Sequence, residues 1–502
     1  MHTFLTPLNR ALATSSDRDA LVCGDVGLTF GELIDRMLRA TTVFADLGTA
    51  AGDRIAILAG NSHQYIELYC AGPASGRVIV PLNTRWAEPE LIYALDDAGV
   101  SVLFTDRDPG RLADHVGRVV RIPDEYEACI TAAEPGSFDE TVEEETLAGL
   151  FYTGGTTGAS KGVMLSHRNL LANTYHAQLV SPMGPGDTYL VVAPLFHAAG
   201  SIAVLQCIGL GARQVVLPGT FDPAAALDLI EREAVDATLV VPTMLAAMLE
   251  VQTAAPRDVS SVRLIGHGGS PIALEVVRRA TKLFPGTELV HLYGATETAP
   301  ILTGLNREQD HLDGPRGKSC GQAVLGVDLR IVGPEGNPLP AGEAGEVVAR
   351  GANIMQGYWN KPQQTAAALV DGWYHTGDVG YLDENGYLFL VDRAKDMIVS
   401  GGENVYCTEV EDALYTHPMV LEATVFGIPD DQWGEAVHAV VVRRGEVTEA
   451  ELIEHCRGQI AGYKMPRSIS FQAGELPKSG PGKVLKRELR APFWEGRERA
   501  IN

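Results

Sequence analysis

The feature that most constrains the fold is a series of short apolar runs separated by segments of helical periodicity. The runs lack the alternation of a one-sided strand, which is typical of strands buried on both faces of a parallel sheet. They are GDRIAILAGN (52–61), RVIVPLN (77–83), VSVLFTD (100–106), RQVVLP (213–218) and ATLVVPT (237–243). Helical segments such as PELIYALDDAG and PAAALDLIEREA lie between them. The sequence therefore predicts an α/β fold with layered, largely parallel sheets.

The C-terminal part of the chain has a different pattern, beginning after residue 340. Short apolar runs separated by glycine, as in DGWYHTGDVGYLDENGYLFLV, predict hairpins and a β-rich subdomain. The last hundred or so residues return to an α+β pattern, with ATVFGIPD, AVHAVVVRRG and the helical EAELIEHCRGQI. Charged residues separate two strand-like runs near 392–395, so we expect a domain boundary there.

Composition excludes several classes of protein. A chain of 502 residues with 45% hydrophobic residues is too apolar to be disordered and long enough for more than one domain. With a net charge of -24, the chain lacks the basic surface that nucleic-acid binding requires, so we expect no nucleic-acid partner. The acidic segment 134–145 reads as a solvated connection.

Cysteine usage and hydropathy indicate a cytoplasmic protein. The seven cysteines are scattered and show no CxxC spacing, so neither a disulfide framework nor a zinc site is expected. The N-terminus has no basic region followed by an apolar one, and therefore no signal peptide is predicted. The most apolar stretch, 198–212, is too short and too polar to cross a bilayer and predicts a buried helix.

A second feature, TGGTTGASKG at 153–162, cannot pack into a core because it consists mainly of glycine and hydroxyl residues. It does not match the P-loop, which requires a serine or threonine after the lysine, since Gly162 follows Lys161. GHGGSP (266–271) and GLGARQ (209–214) both lack the last glycine of the dinucleotide motif. Two readings remain: a solvated turn, or a loop whose backbone N–H groups, hydroxyls and lysine surround a polyphosphate.

Distant motifs favour the second reading. They are TGGTTGASKG at 153, PLFHAAG at 194, YGATE at 293, YHTGD at 374, DRAKDMIVSGGENV at 392 and PKSGPGK at 477. In order and approximate spacing the chain resembles the adenylate-forming superfamily of acyl-CoA synthetases, luciferases and nonribosomal peptide adenylation domains. The resemblance covers nearly the whole chain. It implies a large N-terminal domain, a small mobile C-terminal lid and a two-step reaction, in which MgATP activates a carboxylate as acyl-AMP and a thiol, usually of coenzyme A, displaces AMP.

The resemblance also implies an ATP site. In the resemblance, the phosphates of ATP are bound by Thr153, Gly154, Gly155, Thr156, Thr157, Gly158, Ser160 and Lys161. The adenine is lined by Gly268, Gly269, Ser270, Tyr293 and Gly294. The ribose is bound by Asp378 and Arg393. Thr296 donates to the α-phosphate in this scheme, and Glu297 with Thr157 binds Mg²⁺. Family members commonly have serine at the position of Gly154 and proline at that of Ser160, departures that affect the loop but keep the lysine.

The C-terminal motifs imply roles in catalysis and domain movement. Lys483 resembles the lysine that enters the site for adenylation and bridges carboxylate, ribose and phosphate oxygens. Lys395 matches the hinge, which the resemblance implies at 393–396, between an N-terminal domain over 1–392 and a C-terminal domain over 397–502. Gly401, Gly402 and Glu403 match the coenzyme A passage. The family often has proline at the position of Cys407, for which we expect a structural rather than a nucleophilic role.

The acyl pocket of the family is matched by His197, Ala198, Ser201, Gly266, Ala295, Thr298, Ala299 and Pro300. Relatives that activate amino acids usually carry aspartate where this chain has His197, so an acid without an α-ammonium group is expected. His197 gates or packs beside the carboxylate in that scheme. The small residues predict an open apolar pocket, for which fatty, aryl and polycyclic acids all remain candidates.

Three alternative functions stay open at the level of sequence. A ligase that loads an acyl carrier protein would use the same first step. A non-catalytic acyl or ATP sensor of the same fold is disfavoured by intact Glu297, Asp378, Arg393 and Lys483. A luciferase-type oxygenase requires a special substrate that nothing in the sequence indicates. Whether the chain forms a homodimer also stays open.

Overall fold

The computed structural model describes residues 3–153, 160–270, 272–393, 396–400, 403–430, 433–457, 459–478 and 484–495. The chain forms two compact units. The first comprises Met1–Asp328 and Ala349–Tyr374, and the second comprises Leu329–Val348 and His375–Asn502.

The elements are numbered along the chain. The helices are α1 (Leu5–Ser15), α2 (Phe30–Asp46), α3 (His63–Ala74), α4 (Glu88–Ala98), α5 (Asp124–Ala132), α6 (His167–Val180), α7 (Ala198–Leu210), α8 (Pro223–Glu233), α9 (Pro242–Ala254), α10 (Leu274–Leu283), α11 (Pro362–Ala368), α12 (Cys407–Tyr415), α13 (Glu449–Arg457) and α14 (Lys486–Arg490). The strands are β1 (Asp19–Cys23), β2 (Val26–Thr29), β3 (Arg54–Leu58), β4 (Val78–Pro81), β5 (Val100–Thr105), β6 (Arg118–Arg121), β7 (Leu147–Thr153), β8 (Lys161–Ser166), β9 (Thr188–Val191), β10 (Arg213–Val216), β11 (Ala237–Val240), β12 (Leu264–Gly268), β13 (Glu288–Tyr293), β14 (Thr303–Leu305), β15 (Gln322–Ala323), β16 (Val327–Val332), β17 (Gly345–Gly351), β18 (Gly357–Tyr358), β19 (Leu369–Val370), β20 (Trp373–Leu382), β21 (Leu388–Arg393), β22 (Ile398–Ser400), β23 (Glu403–Val405), β24 (Val420–Asp430), β25 (Gly434–Arg443) and β26 (Ser468–Gln472).

Two large sheets form the first unit. One has the order β18-β8-β7-β4-β3-β5-β6, and the other has the order β15-β14-β13-β12-β11-β9-β10-β1-β2. The central strands pair in parallel, for example β3 with β4 and β5, and β12 with β11 and β13. Antiparallel strands lie toward the ends, as in β7–β8 and β13–β14. The predicted α/β architecture with largely parallel sheets is confirmed, and each of the five apolar runs forms a strand.

Two smaller sheets follow. The first has the order β16-β17-β20-β19 with β21 beside β20, and the second has the order β23-β22-β25-β24 with β26 beside β25. Val425, Val437 and Leu414 lie in the core of the second sheet and its helices. The hairpins predicted from glycine spacing are present, since β20 pairs with β21 in an antiparallel register. The terminal α+β pattern is confirmed as well.

Local sequence explains the helices that position the candidate site. Helix α6 begins after Ser166, whose hydroxyl accepts a hydrogen bond from Asn169 N while the Asn169 side chain accepts one from Ser166 N. Helix α7 is buried on nearly all sides, as its apolar sequence predicts, and ends at Gly211 with φ of 69°. In the described part of the chain, helices long and apolar enough to span a bilayer are absent.

A buried ionic network joins α2, α3 and α5. Arg36 donates to Glu67 at 2.7 Å and to Glu127 at 2.8 Å, and Tyr126 donates its hydroxyl to Glu67 at 2.8 Å. His63 lies 3.2 Å from Glu127 and also hydrogen-bonds Cys23. Burial alone would lower the pKa of His63, but the bonds to Cys23 and Glu127 outweigh burial and raise the pKa to about 9.

Because of this shift, the free energy of unfolding should decrease as the pH becomes alkaline. Because the folded pKa of His63 lies above its ordinary value of 6.5, its contribution is complete below pH 6.5 and is lost as pH rises to about 9. We expect the free energy of unfolding of the wild type to fall by roughly 2–3 kcal/mol more than that of His63→Gln between pH 6.5 and 9. Urea unfolding across this range measures the difference. His115→Gln, at a partly exposed histidine 2.8 Å from Asp96, is the control and should retain the wild-type slope. Equal slopes for wild type and His63→Gln would contradict the assignment.

Candidate active site

Strands β12 and β13 bring the predicted adenine-binding residues together. The two strands run in parallel, with Gly268 opposite Leu292, so Gly268–Ser270 and Tyr293–Gly294 follow the same edge of the sheet. The C-terminal ends of parallel strands are where α/β proteins bind ligands. A Cβ atom at Gly268 would lie 2.3 Å from Leu292 O, and one at Gly294 would lie 1.7 Å from Pro300 O. Glycine is therefore required at both positions by the local backbone.

The loop after β13, which carries Thr296 and Glu297, is held by buried side chains. Asn353 is fully buried and donates from Nδ2 to Thr298 O and Ile301 O, both at 2.8 Å. Thr298 donates its hydroxyl within the loop, to Pro300 O at 2.7 Å and Ala295 O at 2.9 Å. These bonds fix the backbone that presents Thr296 and Glu297. Sequence reasoning did not find Asn353; its only local signal is an amide in an otherwise apolar segment.

Tyr358 connects the predicted metal-binding glutamate to the predicted phosphate-binding lysine. Its hydroxyl donates to Glu297 Oε1 at 2.9 Å, and Lys161 Nζ lies over its ring, 4.6 Å from the centroid. The pairing of β18 with β8 places Tyr358 opposite Val163, two residues from Lys161. The structure therefore places Lys161 over the ring of Tyr358 and Glu297 at its hydroxyl, and sequence reasoning missed this tyrosine.

The electrostatics of this arrangement suit a cation and a polyphosphate. Burial and the charge of Glu297 raise the pKa of Tyr358, which keeps the phenol protonated as a donor. Among the described residues, neither Glu297 Oε2 nor the Thr296 hydroxyl has a hydrogen-bond partner. A carboxylate with one oxygen held and one available fits Mg²⁺, which prefers hard oxygen ligands and keeps part of its water shell.

The polyphosphate loop is described at its two ends. Thr153 ends β7 and lies opposite Lys161, the first residue of β8. Gly154, Gly155, Thr156, Thr157 and Gly158 lie outside the described residues. Ser160 Oγ is buried and bonds to none of the described residues. A buried hydroxyl without a partner needs an acceptor or donor to offset its desolvation, so this end of the loop fits an oxygen-rich ligand.

His197 lies at the start of α7, where a tight backbone turn holds it. A Cβ atom at Gly200 would lie 2.0 Å from Pro194 O, so this turn requires glycine. Buried Asn61 clamps the preceding loop, because it donates to Ala193 O at 3.0 Å and accepts from Leu195 N at 2.9 Å. His197 Nε2 is buried and has no partner among the described residues. Burial, assisted by the charge of Arg85, lowers the pKa of His197 to about 4, so the imidazole is neutral at pH 7.

The predicted acyl-pocket residues lie at the start of α7, on β12 and in the loop after β13. Ala198, Ser201, Thr298 and Ala299 are buried, whereas Ala295 and Pro300 are partly exposed. Ser201 donates to Ala198 O at 3.2 Å, and the Thr298 hydroxyl is engaged within its own loop. Gly266 contributes to the wall of a small internal cavity beside α7.

The second unit contains Asp378, the predicted ribose ligand. Glu346 accepts hydrogen bonds from His375 Nδ1 at 2.8 Å and from Gly377 N at 3.1 Å, and thereby fixes the turn before Asp378. Asp378 lies opposite Arg393 in the β20–β21 register.

The remaining predictions fall largely outside the described part of the chain. Lys395, Gly401, Gly402 and Lys483 lie outside the described residues, and of Arg393 and Glu403 only the strand position is described. Cys407 is buried at the start of α12, where its thiol donates to Asp396 O at 3.1 Å.

A buried His–Glu–His cluster supports the adenine-binding strand. Glu308 lies 2.5 Å from His267 Nε2 and 3.7 Å from His291 Nδ1, and the two imidazole rings stack at 4.9 Å. Burial would raise the pKa of Glu308, but the charge and hydrogen bond of His267 lower it. Burial, with the charge of His267, lowers the pKa of His291 to about 4. The cluster fixes the residue immediately before Gly268, and no local sequence pattern indicated it.

The Tyr358 contact gives a testable prediction. In Tyr358→Phe the ring still contacts Lys161, but the Glu297 carboxylate loses the donor that orients it. We expect the Mg²⁺ concentration for half-maximal adenylation to rise about fivefold, with a smaller change in the KM for the acid. A magnesium titration of pyrophosphate release measures this effect. Tyr126→Phe removes a buried tyrosine–glutamate bond of similar length, 2.8 Å to Glu67, and should leave the magnesium dependence unchanged. An identical shift in both variants would indicate general destabilisation instead.

Comparisons with known proteins identify the family of this chain. The family model "AMP-binding enzyme" matches residues 8–359, and "AMP-binding enzyme C-terminal domain" matches residues 409–483. Feruloyl-CoA synthase of Amycolatopsis sp is 40% identical over 97% of this chain and 98% of its own length. The fatty acid–[acyl-carrier-protein] ligase ScoC of Streptomyces coeruleorubidus is 34% identical over 96% of this chain and 95% of its own.

Solved structures agree as well. The o-succinylbenzoate CoA synthetase of Bacillus subtilis with its acyl-adenylate intermediate has a TM-score of 0.88 at 31% identity, covering 97% of this chain and 98% of the other. The same enzyme with ATP and a magnesium ion has a TM-score of 0.87 at 30% identity, covering 97% of this chain and 99% of the other. ATP, Mg²⁺ and coenzyme A are therefore the reactants and cofactor of this site. The chain belongs to the AMP-binding enzyme family and is an AMP-forming acid–thiol ligase of the adenylate-forming superfamily.

Proposed function

We propose that this ligase converts an aromatic carboxylic acid to its acyl-adenylate and then to its coenzyme A thioester. The observation that carries the proposal is the arrangement of Lys161, Tyr358 and Glu297 beside an oriented Thr296. Feruloyl-CoA synthase, 40% identical to this chain over nearly its full length, supports an aryl acid as the substrate. Neutral His197 supports an acid that brings no α-ammonium group, since it offers such a group no buried anion.

The first half-reaction depends on positioning and on charge neutralisation. A carboxylate oxygen of the acid attacks the α-phosphorus of ATP. The bond from this phosphorus to the oxygen that bridges the α- and β-phosphates breaks, and pyrophosphate leaves with that oxygen and the electron pair of the bond. In our proposal Lys161, Thr153 and Ser160, with Gly154–Gly158, bind the β- and γ-phosphates, and Thr296 donates to the α-phosphate. Glu297 and Thr157 would hold Mg²⁺, which would supply positive charge near the phosphate oxygens. Gly268, Gly269, Ser270, Tyr293 and Gly294 line the adenine, and Asp378 and Arg393 bind the ribose.

The second half-reaction transfers the acyl group to sulfur. The thiol of coenzyme A attacks the acyl carbon, AMP leaves with the oxygen, and the thiol proton passes to solvent. We propose that Lys483 acts in the first half-reaction and that Gly401, Gly402 and Glu403 line the thiol passage in the second. A hinge at Lys395 would lie between a domain over 1–392 and one over 397–502. Rotation at this hinge would replace Lys483 in the site by the residues of the thiol passage. We propose a cytoplasmic location, because ATP and coenzyme A are available there.

Transfer to an acyl carrier protein is the second candidate. The relative named as a fatty acid–[acyl-carrier-protein] ligase, 34% identical to this chain, favours it. The two acceptors share the first half-reaction and present the same phosphopantetheine thiol, so the site residues do not separate them. A homodimer is compatible with either.

One assay separates these candidates. The protein is incubated with MgATP, a panel of aryl, fatty and polycyclic acids, and either coenzyme A or a phosphopantetheinylated carrier protein. We expect AMP and one new aryl-CoA mass to appear together. Adenylate formation that yields a thioester with the carrier protein alone would favour the second candidate. A panel in which only fatty acids react would refute the aryl assignment, and no pyrophosphate release with any acid would count against both candidates.

A further inference from the structure

A small cavity lies inside the first unit, beside α7. It measures about 20 Å³, and its wall includes Gly266, Ile202, Leu239, Leu292 and Gln206. This volume holds about one water-sized group, such as a hydroxyl. Gly266 is one of the predicted acyl-pocket residues, and Ile202 follows Ser201 in the chain. The cavity therefore borders the region assigned to the acyl group.

Gln206 presents a polar atom in this apolar wall, and its neighbours determine which atom. Its Nε2 donates to Ser181 O at 2.9 Å and to Gln178 Oε1 at 2.8 Å. The Gln178 amide is itself oriented, because its Nε2 donates to Met183 O and its Oε1 accepts from Met183 N. Both atoms beside Gln206 Nε2 are thus acceptors, which excludes the flipped amide of Gln206. Oε1 is the group left without a protein partner.

The residue that carries this oxygen is buried. Gln206 is 3% exposed, and within the described residues Oε1 accepts no hydrogen bond. Two other polar side chains of the wall are engaged, since Thr238 donates to Leu190 O at 2.9 Å and the Tyr189 phenol hydrogen-bonds the backbone of Leu239. A buried acceptor that stays unpaired is unfavourable. A ligand group that donates a hydrogen bond would satisfy it, whereas an alkyl end would not.

The position of Gln206 along α7 relates this oxygen to the reacting end of the acid. Residues 198, 202 and 206 are spaced by four and therefore lie on one face of the helix. From His197 to Gln206 the helix rises about 13 Å. An acid whose carboxylate lies near His197, as the proposed function has it, would direct its far end toward Gln206.

We infer that Gln206 is a specificity-determining residue, and that the site takes an aromatic acid carrying a hydrogen-bond donor, such as a phenolic hydroxyl, at the end opposite its carboxylate. The inference rests on the proposed function for the placement of the carboxylate. The donor requirement rests on the cavity and on the forced orientation of the Gln206 amide.

Three matched substrates test the donor requirement in the full-length wild type. They are 4-hydroxycinnamate, 4-methoxycinnamate, which fills the same end without a donor, and cinnamate. We expect kcat/KM for AMP release to be about tenfold higher for the hydroxy acid than for either of the others. Equal values for the three acids would overturn the inference and leave the ligase assignment standing. Absence of pyrophosphate release with every acid would overturn the proposed function and the inference together.

Substitution then tests the residue. In Gln206→Leu, and in Gln206→Met as a second variant, the ratio of kcat/KM for the hydroxy acid to kcat/KM for cinnamate should fall to within about twofold. Gln252→Leu is the matched control, because this buried glutamine pairs both amide atoms with Arg257 and lies on α9. It should keep the tenfold preference. Circular dichroism confirms that each variant is folded. An unchanged preference in a folded Gln206 variant would overturn the role of Gln206.

Discussion

Lys483→Ala is expected to lower the rate of acyl-adenylate formation by about two to three orders of magnitude. The reason is electrostatic: an anionic carboxylate approaches an anionic phosphorus, and the variant removes a cation proposed to bridge them. Thioester formation from a supplied acyl-adenylate should change by less than about threefold, because that step begins after the phosphate chemistry is complete. Pyrophosphate release measures the first step, and a thioester assay with synthetic acyl-adenylate measures the second.

A neighbouring lysine provides the control. Lys478 lies in the same segment and forms a 2.5 Å ion pair with Glu422. Lys478→Ala removes the same charge from the chain, so it tests whether any lysine here supports adenylation. We expect both half-reactions to persist in this variant, with some loss of stability. If Lys483→Ala lost both half-reactions equally, the lysine would have a structural role rather than the proposed one.

The elements could be predicted from sequence where burial is local. The run RVIVPLN predicts β4 and the stretch 198–212 predicts α7 because a strand or helix buried on all sides shows continuous apolar sequence. The pattern also placed α4 and α8 between strands. Local periodicity carries no information about which distant strands pair. The register of β18 against β8 could therefore not be predicted from the sequence.

The site was predictable only as far as motifs reach. Thr296 and Glu297 were proposed as site residues because YGATE is recognisable, but Tyr358 lies 61 residues away from Glu297 and meets it through sheet register. Asn353 and Gln206 are single amides in apolar surroundings. The role of each amide depends on which hydrogen-bond partners the tertiary structure places beside it, and these partners cannot be identified from the sequence.

Glu297→Gln is the second change for which a large effect is expected. The amide keeps the shape of the side chain, and its oxygen can still accept from Tyr358, so the loop geometry should persist. What the variant loses is the negative charge that a hard divalent cation requires. We expect kcat for adenylation to fall about 100-fold and the magnesium requirement to rise, while thioester formation from supplied acyl-adenylate changes little.

The readout that separates a metal-binding role from a structural one is the magnesium titration. Glu233→Gln serves as the control, since this glutamate pairs with Arg213 and Arg232 at the end of α8 and should leave the titration unaltered. Combining Glu297→Gln with Tyr358→Phe gives a stricter test. If the phenol acts only by orienting the carboxylate for the cation, its removal should add less than about twofold to the Glu297→Gln defect. Full additivity of the two effects would mean that Tyr358 acts independently, through its contact with Lys161.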